Sequence, residues 1–337
     1  MKRKFFIFLF CILPAFIYST TKDLSNYTLN IYNPLILNGS RCSGMGGAVV
    51  SLGDDSDDVF YNPAASSFRN KFQKDNFEWD YSIGFANVFS KSDIDYRNVR
   101  GIIPDYDADP HAYFSVALMF LYKHWSISLT VSSSHTYFVV NDDIAKMEEN
   151  FITINLAHEI IEKRLFVSLG LTNPQLILKN SNDETLVEYN YAKDVMANPI
   201  FGLIYAFEKI PLRLGLTILF DANGTQAAKQ NETGVILPNE VRHPYRVTFG
   251  SSYRFYFNKK RWNLPLGTPR DRGWFQFHPE YLLVSFDLEY VGKIENGVDI
   301  LSYTLTTDIY ETGRETHLQP HAGIEISFPY WLKLRAG

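Results

Sequence analysis

The side chains able to do chemistry in this 337-residue chain fall into two groups. One is an acidic run, Asp54, Asp55, Asp57 and Asp58, which follows a glycine cluster (Gly44, Gly46, Gly47) and precedes Tyr61, Asn62, Pro63 and Ala64. The other is a scatter of single charges on segments of small and apolar residues: Asp80, Arg213, Arg246, Arg254, Asp287, Glu289, Glu325, Lys333 and Arg335. Clustered carboxylates can hold a hard cation, but this run lacks the spacing and the closing Glu of an EF-hand loop. A phosphate-binding glycine loop needs a G-K-[ST] ending and a following helix, and neither is present. His158-Glu159 is followed by Glu162 without the second histidine of a zinc-protease helix, and the residues around it alternate as a strand. His317 and His321 stand near a strand start and read as wall residues rather than ligands. There is no G-x-S-x-G elbow. The expectation is a protein that is not an enzyme, with no metal and no cofactor.

The elements that would carry these charges are strands. Over residues 125–132, Trp125, Ile127, Leu129 and Val131 share one face, while Ser126, Ser128, Thr130 and Ser132 share the other. Successive side chains on a strand point to opposite sides, whereas helical spacing would mix the two sets. The same alternation runs through 77–86, 112–121, 151–160, 165–171, 199–207, 212–218, 245–256, 282–290 and 322–328. It is weaker at 300–307, and 330–337 reads as one more strand. About a dozen strands result, most near the ~9–11 residues that cross a bilayer obliquely. Aromatic residues load the strand ends: Trp79, Tyr81, Trp125, Tyr253, Phe255, Tyr290, Tyr330 and Trp331. Girdles of this kind separate a membrane barrel from a soluble sandwich. The fold class is therefore all-β, a transmembrane antiparallel β-barrel. Charges at membrane depth should face inward, because the lipid face makes them costly.

Residues 39–66 behave differently. The glycines open backbone conformations closed to other residues. Pro63 fixes its own φ and turns Asn62 away from the α region. This stretch reads as a compact, irregular plug. Its order and spacing resemble the opening of mature FadL-type outer-membrane proteins, the long-chain fatty acid and hydrocarbon transporters. Their pattern is G-x-R-x-x-G-M-G-G-A, an Asp pair, then Y-N-P-A. Gly39, Arg41, Gly44, Met45, Gly46, Gly47 and Ala48 match the first part, Asp54 and Asp55 the second, and Tyr61, Asn62, Pro63 and Ala64 the third. Asp57 and Asp58 depart from it, since small apolar residues are more usual there.

The resemblance implies a barrel of about 14 strands, of which about 12 are visible, with an N-terminal hatch in its lumen. It also implies passive uptake of a hydrophobic, fatty acid-like ligand, captured at an external apolar groove and released as the hatch moves. Gly44, Gly46, Gly47, Asp54, Asp55, Asn62, Pro63 and Ala64 are then the hatch or gating positions. Their role would be conformational, with Asp54 and Asp55 anchoring the hatch to lumen arginines. The other reading is a scaffold, shuttle or surface-exposed interaction protein on the same fold, without transport.

Composition sets the remaining bounds. The net charge of −5 argues against nucleic acid as a partner. Aromatic residues make up 15% of the chain while its mean hydropathy is slightly negative, which suits a barrel with a polar lumen. Lys2, Arg3 and Lys4 followed by an apolar core at 5–18 give residues 1–20 the pattern of a signal peptide. Export to the outer membrane of a diderm bacterium is expected, with outer-membrane lipid and the barrel-assembly machinery as partners. Cys11 falls in the leader, which leaves Cys42 without an internal disulfide partner, so it reads as a packed small side chain. Residues 21–75 are assigned to the hatch and 76–337 to the barrel, whose last strands are expected to be missing. Connections should alternate between tight turns (near 122–123, 161–163 and 208–210) and long polar loops at 138–150, 173–197 and 221–243. The long segment 258–279 breaks that rule, requiring either a hidden strand pair or one strand fewer.

Overall fold

In a computed structural model, the described residues are 22–30, 39–68, 77–88, 111–140, 143–179, 185–190, 198–229, 235–236, 238–257, 280–298, 309, 311–328 and 332–337. The N-terminal part holds the short strands β1 (Lys22–Asp23) and β2 (Thr28–Asn30), helix α1 (Gly39–Gly44), and two 3-10 turns at Ser56–Phe60 and Pro63–Ser67. The wall begins with β3 (Phe77–Val88), β4 (His111–Tyr122), β5 (Trp125–Val140), β6 (Asp143–Ile161) and β7 (Leu165–Lys179). After β8 (Thr185–Asn190) it continues through β9 (Asn198–Ala206) and β10 (Leu212–Leu219). Three further pieces, β11 (Ala222–Lys229), β12 (Val235–Ile236) and β13 (Glu240–His243), precede β14 (Arg246–Tyr256). The chain ends with β15 (Tyr281–Val291), β16 (Gly297–Val298), β17 (His317–Ser327) and β18 (Lys333–Ala336).

Eleven of these strands form one antiparallel meander, in the order β3-β4-β5-β6-β7-β9-β10-β14-β15-β17-β18. Its polarity is the reverse of a soluble protein's. On β5, Trp125 and Ile127 are exposed while Ser126, Ser128, Thr130 and Ser132 are buried. On β15, Val284, Phe286, Leu288 and Tyr290 are exposed, whereas Ser285, Asp287 and Glu289 are buried. Exposed apolar faces of this extent mark an interaction surface, and on a continuous sheet that surface is one for lipid. The all-β membrane wall follows. Among the described residues, β3 and β18 are both edge strands and the sheet is not closed; α1 packs against both of them.

One end of the wall carries tight turns. Lys123 and Lys163 take positive φ there (55° and 60°), which lets the chain reverse in two or three residues. The opposite end is not the set of long polar loops expected. Strand β5 runs to Val140, β6 starts at Asp143, and β7 runs to Lys179. The 19 residues of β6 rise about 60 Å, far more than a tilted crossing of a hydrocarbon core about 30 Å thick requires. The excess projects past the membrane, where ladder pairing satisfies backbone groups that a loop would leave to water. Strand β7 changes partner along the way: residues 165–172 pair with β9, and residues 175–179 pair with β8. From β8 a smaller sheet grows through β11, β13, β2 and β16.

Strands β14 and β15 pair directly from Arg246↔Val291 to Tyr256↔Tyr281, so no hidden strand pair lies between them in the sheet. Residues 258–279, the weak strand at 300–307, and the expected junctions near 20–21 and 75–76 lie outside the described residues, as do Tyr330 and Trp331.

The N-terminal segment occupies the concave side. Residues 39–68 touch the inner faces of strands from β3 through β18, which is possible only if the sheet curls round them. They begin as a helix, not the wholly irregular plug expected. The described plug residues end at Phe68, which packs on Phe166 next to the 162–164 turn, while β2 pairs into the smaller sheet at the opposite end.

Candidate functional site

The plug meets the wall through two polar clusters, and each arises from local backbone geometry. The Ser56–Phe60 turn leaves the N–H groups of Asp54 and Asp55 free of turn partners, and both donate to Oδ2 of Asp58 (2.9 and 3.1 Å). That carboxylate is pulled inward, where Arg41 of α1 reaches it at 3.2 Å. Arg41 is 2% exposed and is the hub of the cluster. Its Nη2 donates to Asp54 and to Glu325 of β17, each at 3.4 Å. Glu325, fully buried, also accepts from the Tyr281 hydroxyl and from Nε of Arg335 (both 2.7 Å). Asp54 in turn receives Arg213 of β10 and Arg254 of β14. The Arg213 guanidinium lies 4.3 Å over the Phe68 ring, and that of Arg254 5.0 Å over Tyr281. Plug and wall are thus joined by ion pairs running from α1 to β10, β14 and β17.

The second cluster centres on Asn62. Its Oδ1 accepts from the Ala64 N–H (3.1 Å) and caps the Pro63–Ser67 turn, with Pro63 in the first position, where a missing N–H costs nothing. Its Nδ2 donates to Val50 O (2.8 Å) within the plug and to Leu203 O (3.0 Å) on β9. Ala64 is fully buried and packs with Ala65 against Phe166 and Ile204. Asn62 therefore rivets two plug segments to the wall through backbone oxygens.

Several expected residues take these places and others do not. Asp54 lies against the arginines Arg213 and Arg254 of the wall, whereas Asp55 sits at the start of the Ser56–Phe60 turn. Asp55 is exposed and forms a capping box with Asp58: its backbone N–H donates to the Asp58 carboxylate, and its own carboxylate accepts from the Asp58 N–H. Asp80 lies on the inner face of β3, but it is exposed and accepts from the Tyr81 N–H rather than from an arginine. Asp57 accepts from Ser82 on that same face. Asp287 accepts from Val50 N (2.9 Å). Nearer the long-strand end, Glu289 lies 3.6 Å from both Arg246 and His321, and His321 Nδ1 sits 3.0 Å from Gly46 O. Gly46 and Gly47 take positive φ (58° and 84°) as the chain leaves α1, while Gly44 is helical and lies close to Arg335. The residues that sequence reasoning undervalued are Arg41, Asp58 and Tyr281. Asp58's departure from the family pattern was the signal for them.

Burial raises the Asp58 carboxyl to about 6, although Arg41 opposes the shift. The plug in place thus binds this proton more tightly than an exposed aspartate, whose ordinary pKa is about 3.9. The stabilisation from this group is fully present below pH ~4 and is lost as the pH rises through ~6. Amide exchange of the plug should therefore quicken between pH 4 and 6 beyond the intrinsic rate. The Asp58→Asn variant should lack that increment; an identical pH profile in the two proteins would refute the assignment. Burial also drives the Cys42 thiol up to about 12, so it stays an uncharged packing group.

Two cavities flank the plug. One, of about 80 Å³, lies between Phe60, Ile200 and Leu219 and the Arg246–Glu289–His321 cluster. The other, of about 690 Å³, opens at the tight-turn end among Phe68, Phe207, Ile210, Arg213, Arg254 and Tyr256. No family model and no curated protein matches the chain. Among solved structures it is similar to the "CymD monoaromatic hydrocarbon channel", with 11% identity, 88% of this chain and 81% of that chain covered, and a TM-score of 0.47.

Proposed function

We propose that this protein is an outer-membrane channel for small hydrophobic molecules of the fatty-acid type, gated by its N-terminal plug. One observation carries the reading: a wall with an apolar outer face curls round a plug that it holds by separable polar contacts. Apolar contacts also seat the plug, Ala64 and Ala65 on Phe166 and Ile204 and Met45, Val49 and Leu52 beside Tyr281 and Leu283, but the hydrogen bonds and ion pairs across the joint can part without exposing a core. Here the joints are Asn62 to strand oxygens and Asp54 to Arg213 and Arg254. An apolar ligand passing such a plug needs no energy source, only a pathway along apolar side chains and a plug that yields. Export, a setting in outer-membrane lipid and assembly by the barrel machinery belong to the same proposal.

The test is laurate binding and transfer by the protein in detergent and in liposomes, with the native plug and with Asn62→Ala plus Pro63→Ala. Removing the Asn62 amide strands buried acceptors at a cost of about 1–3 kcal/mol. Saturable binding by the native protein, with transfer in the variant altered about tenfold or more, is the expected result. A folded wall that binds no laurate would end the transport reading. The scaffold reading would then take its place, since buried Arg41, Asp58, Asp287 and Glu325 seal the middle of the lumen with charge.

A further inference from the structure

The cavity of about 690 Å³ at the tight-turn end has walls of two kinds. Phe68, Phe207, Ile210 and Tyr256 make part of it apolar, and Arg213 and Arg254 add cations. Its volume is that of a site for a small organic ligand. The cations around it are short of anions. The ion-paired cluster joining plug and wall holds four arginines, Arg41, Arg213, Arg254 and Arg335, against three carboxylates, Asp54, Asp58 and Glu325. Asp58 and Glu325 serve Arg41 and Arg335. Among the described residues, that leaves Asp54 as the carboxylate for both Arg213 and Arg254. The surplus positive charge therefore falls beside the cavity. Charges at the mouth do not offset it, since Glu162 pairs with Lys163 and Glu208 with Arg164. A guanidinium has five N–H donors, and Asp54 takes only Nη1 of Arg213 and Nη2 of Arg254. Rings hold both groups in place, Phe68 under Arg213 and Tyr281 under Arg254.

We propose that this cavity binds an alkyl or arylalkyl carboxylate, entering from the tight-turn end, as the second anion for Arg213 and Arg254. The carboxylate lies beside Asp54, so that two cations face two anions, and the hydrocarbon part lies along Phe207, Ile210 and Tyr256. Planar guanidinium forks match a carboxylate, and partial burial strengthens the pairing. An alcohol of the same shape gains the apolar contacts alone. The plug stays seated, because Asp54 keeps its arginines. The site does not depend on the channel reading, since its mouth is at the tight-turn end and binding there requires no transport.

Equilibrium binding of 4-phenylbutyrate and 4-phenylbutanol to the protein in detergent tests this, because the two probes share a shape and differ in charge. The acid should bind at least about tenfold more tightly than the alcohol. Arg213→Gln should remove that preference while alcohol binding stays within about twofold. Equal affinities in the native protein, or a preference that survives Arg213→Gln, would overturn the proposal. Because Arg213 also holds Asp54, a second variant leaves the ion pairs alone. Ala206 stands opposite Arg213 in the β9–β10 pairing and so shares its face. Ala206→Trp should fill the cavity and weaken acid binding at least about tenfold, with protease accessibility of residues 41–66 unchanged. Undiminished acid binding in that variant would also overturn the proposal. Phenylbutyrate binding without laurate transfer would end the channel reading alone; laurate transfer without phenylbutyrate binding would end this proposal alone.

Discussion

Replacing Arg41 with Met should loosen the plug by about 3–5 kcal/mol, because it leaves buried carboxylates without their cation. The loss is unequal among the partners. Glu325 keeps Arg335 and the Tyr281 hydroxyl, and Asp54 keeps Arg213 and Arg254. Asp58 keeps only the two backbone N–H groups among its described partners, at 2% exposure. It is therefore the source of most of the penalty, and Asp58→Asn added to Arg41→Met should recover about half of it. An asparagine oxygen can accept from the Asp54 and Asp55 N–H groups just as the carboxylate does, without a charge to bury. Hydrogen exchange of residues 41–66 in the folded protein measures the plug's opening free energy directly. Equal losses in the single and double variants would place the penalty on Glu325 or Asp54. No change in the single variant would show that Arg41 is not the hub.

How much of this was legible beforehand depends on the range over which each feature is encoded. The wall strands are encoded locally. The two-residue period of 125–132 and 282–290 states which face meets lipid, and the structure follows it nearly residue for residue. The plug was visible through its glycines and the Asn62-Pro63 pair, for the same local reason. The difference between Asp55 and Asp58 was not visible, because both belong to one acidic run. Only the 3-10 turn between them decides which carboxylate turns inward. Arg41 read as one letter of a motif, since its partner Glu325 is 284 residues away. Strand β2 was the least legible element. Three residues of β2 carry no period, and its partners β13 and β16 follow it by more than 200 residues. The upper parts of β5 to β7 were mistaken for loops because polar residues there look solvated, although their backbones stay paired beyond the membrane.

Gly215 offers the sharpest separation of plug from wall. It lies on the inner face of β10, and a Cβ added there would come within 2.3 Å of Val50 O and 2.7 Å of Ser51 Cα. Both are backbone atoms of the plug, so no side-chain rotation can relieve the clash. The strand itself should accept a β-branched residue well, because Gly215 pairs in register with Ile204 and Gly250 and valine favours strands. Gly215→Val is therefore expected to leave the wall folded while pushing the 50–51 segment off it. Val50 O is also the acceptor nearest to Asn62 Nδ2, at 2.8 Å, so the displacement should break that joint as well. Overpacking and the lost hydrogen bond together amount to about 3 kcal/mol or more, enough to raise plug opening over a hundredfold. The control is Leu214→Val, one residue along but on the outer face, which should change neither property. Strand content by circular dichroism and gel heat-modifiability report the wall; protease accessibility of residues 41–66 reports the plug. A variant with an intact wall and an exposed plug is the expected result. If the wall were lost as well, the plug would be part of the folding core rather than a separable gate.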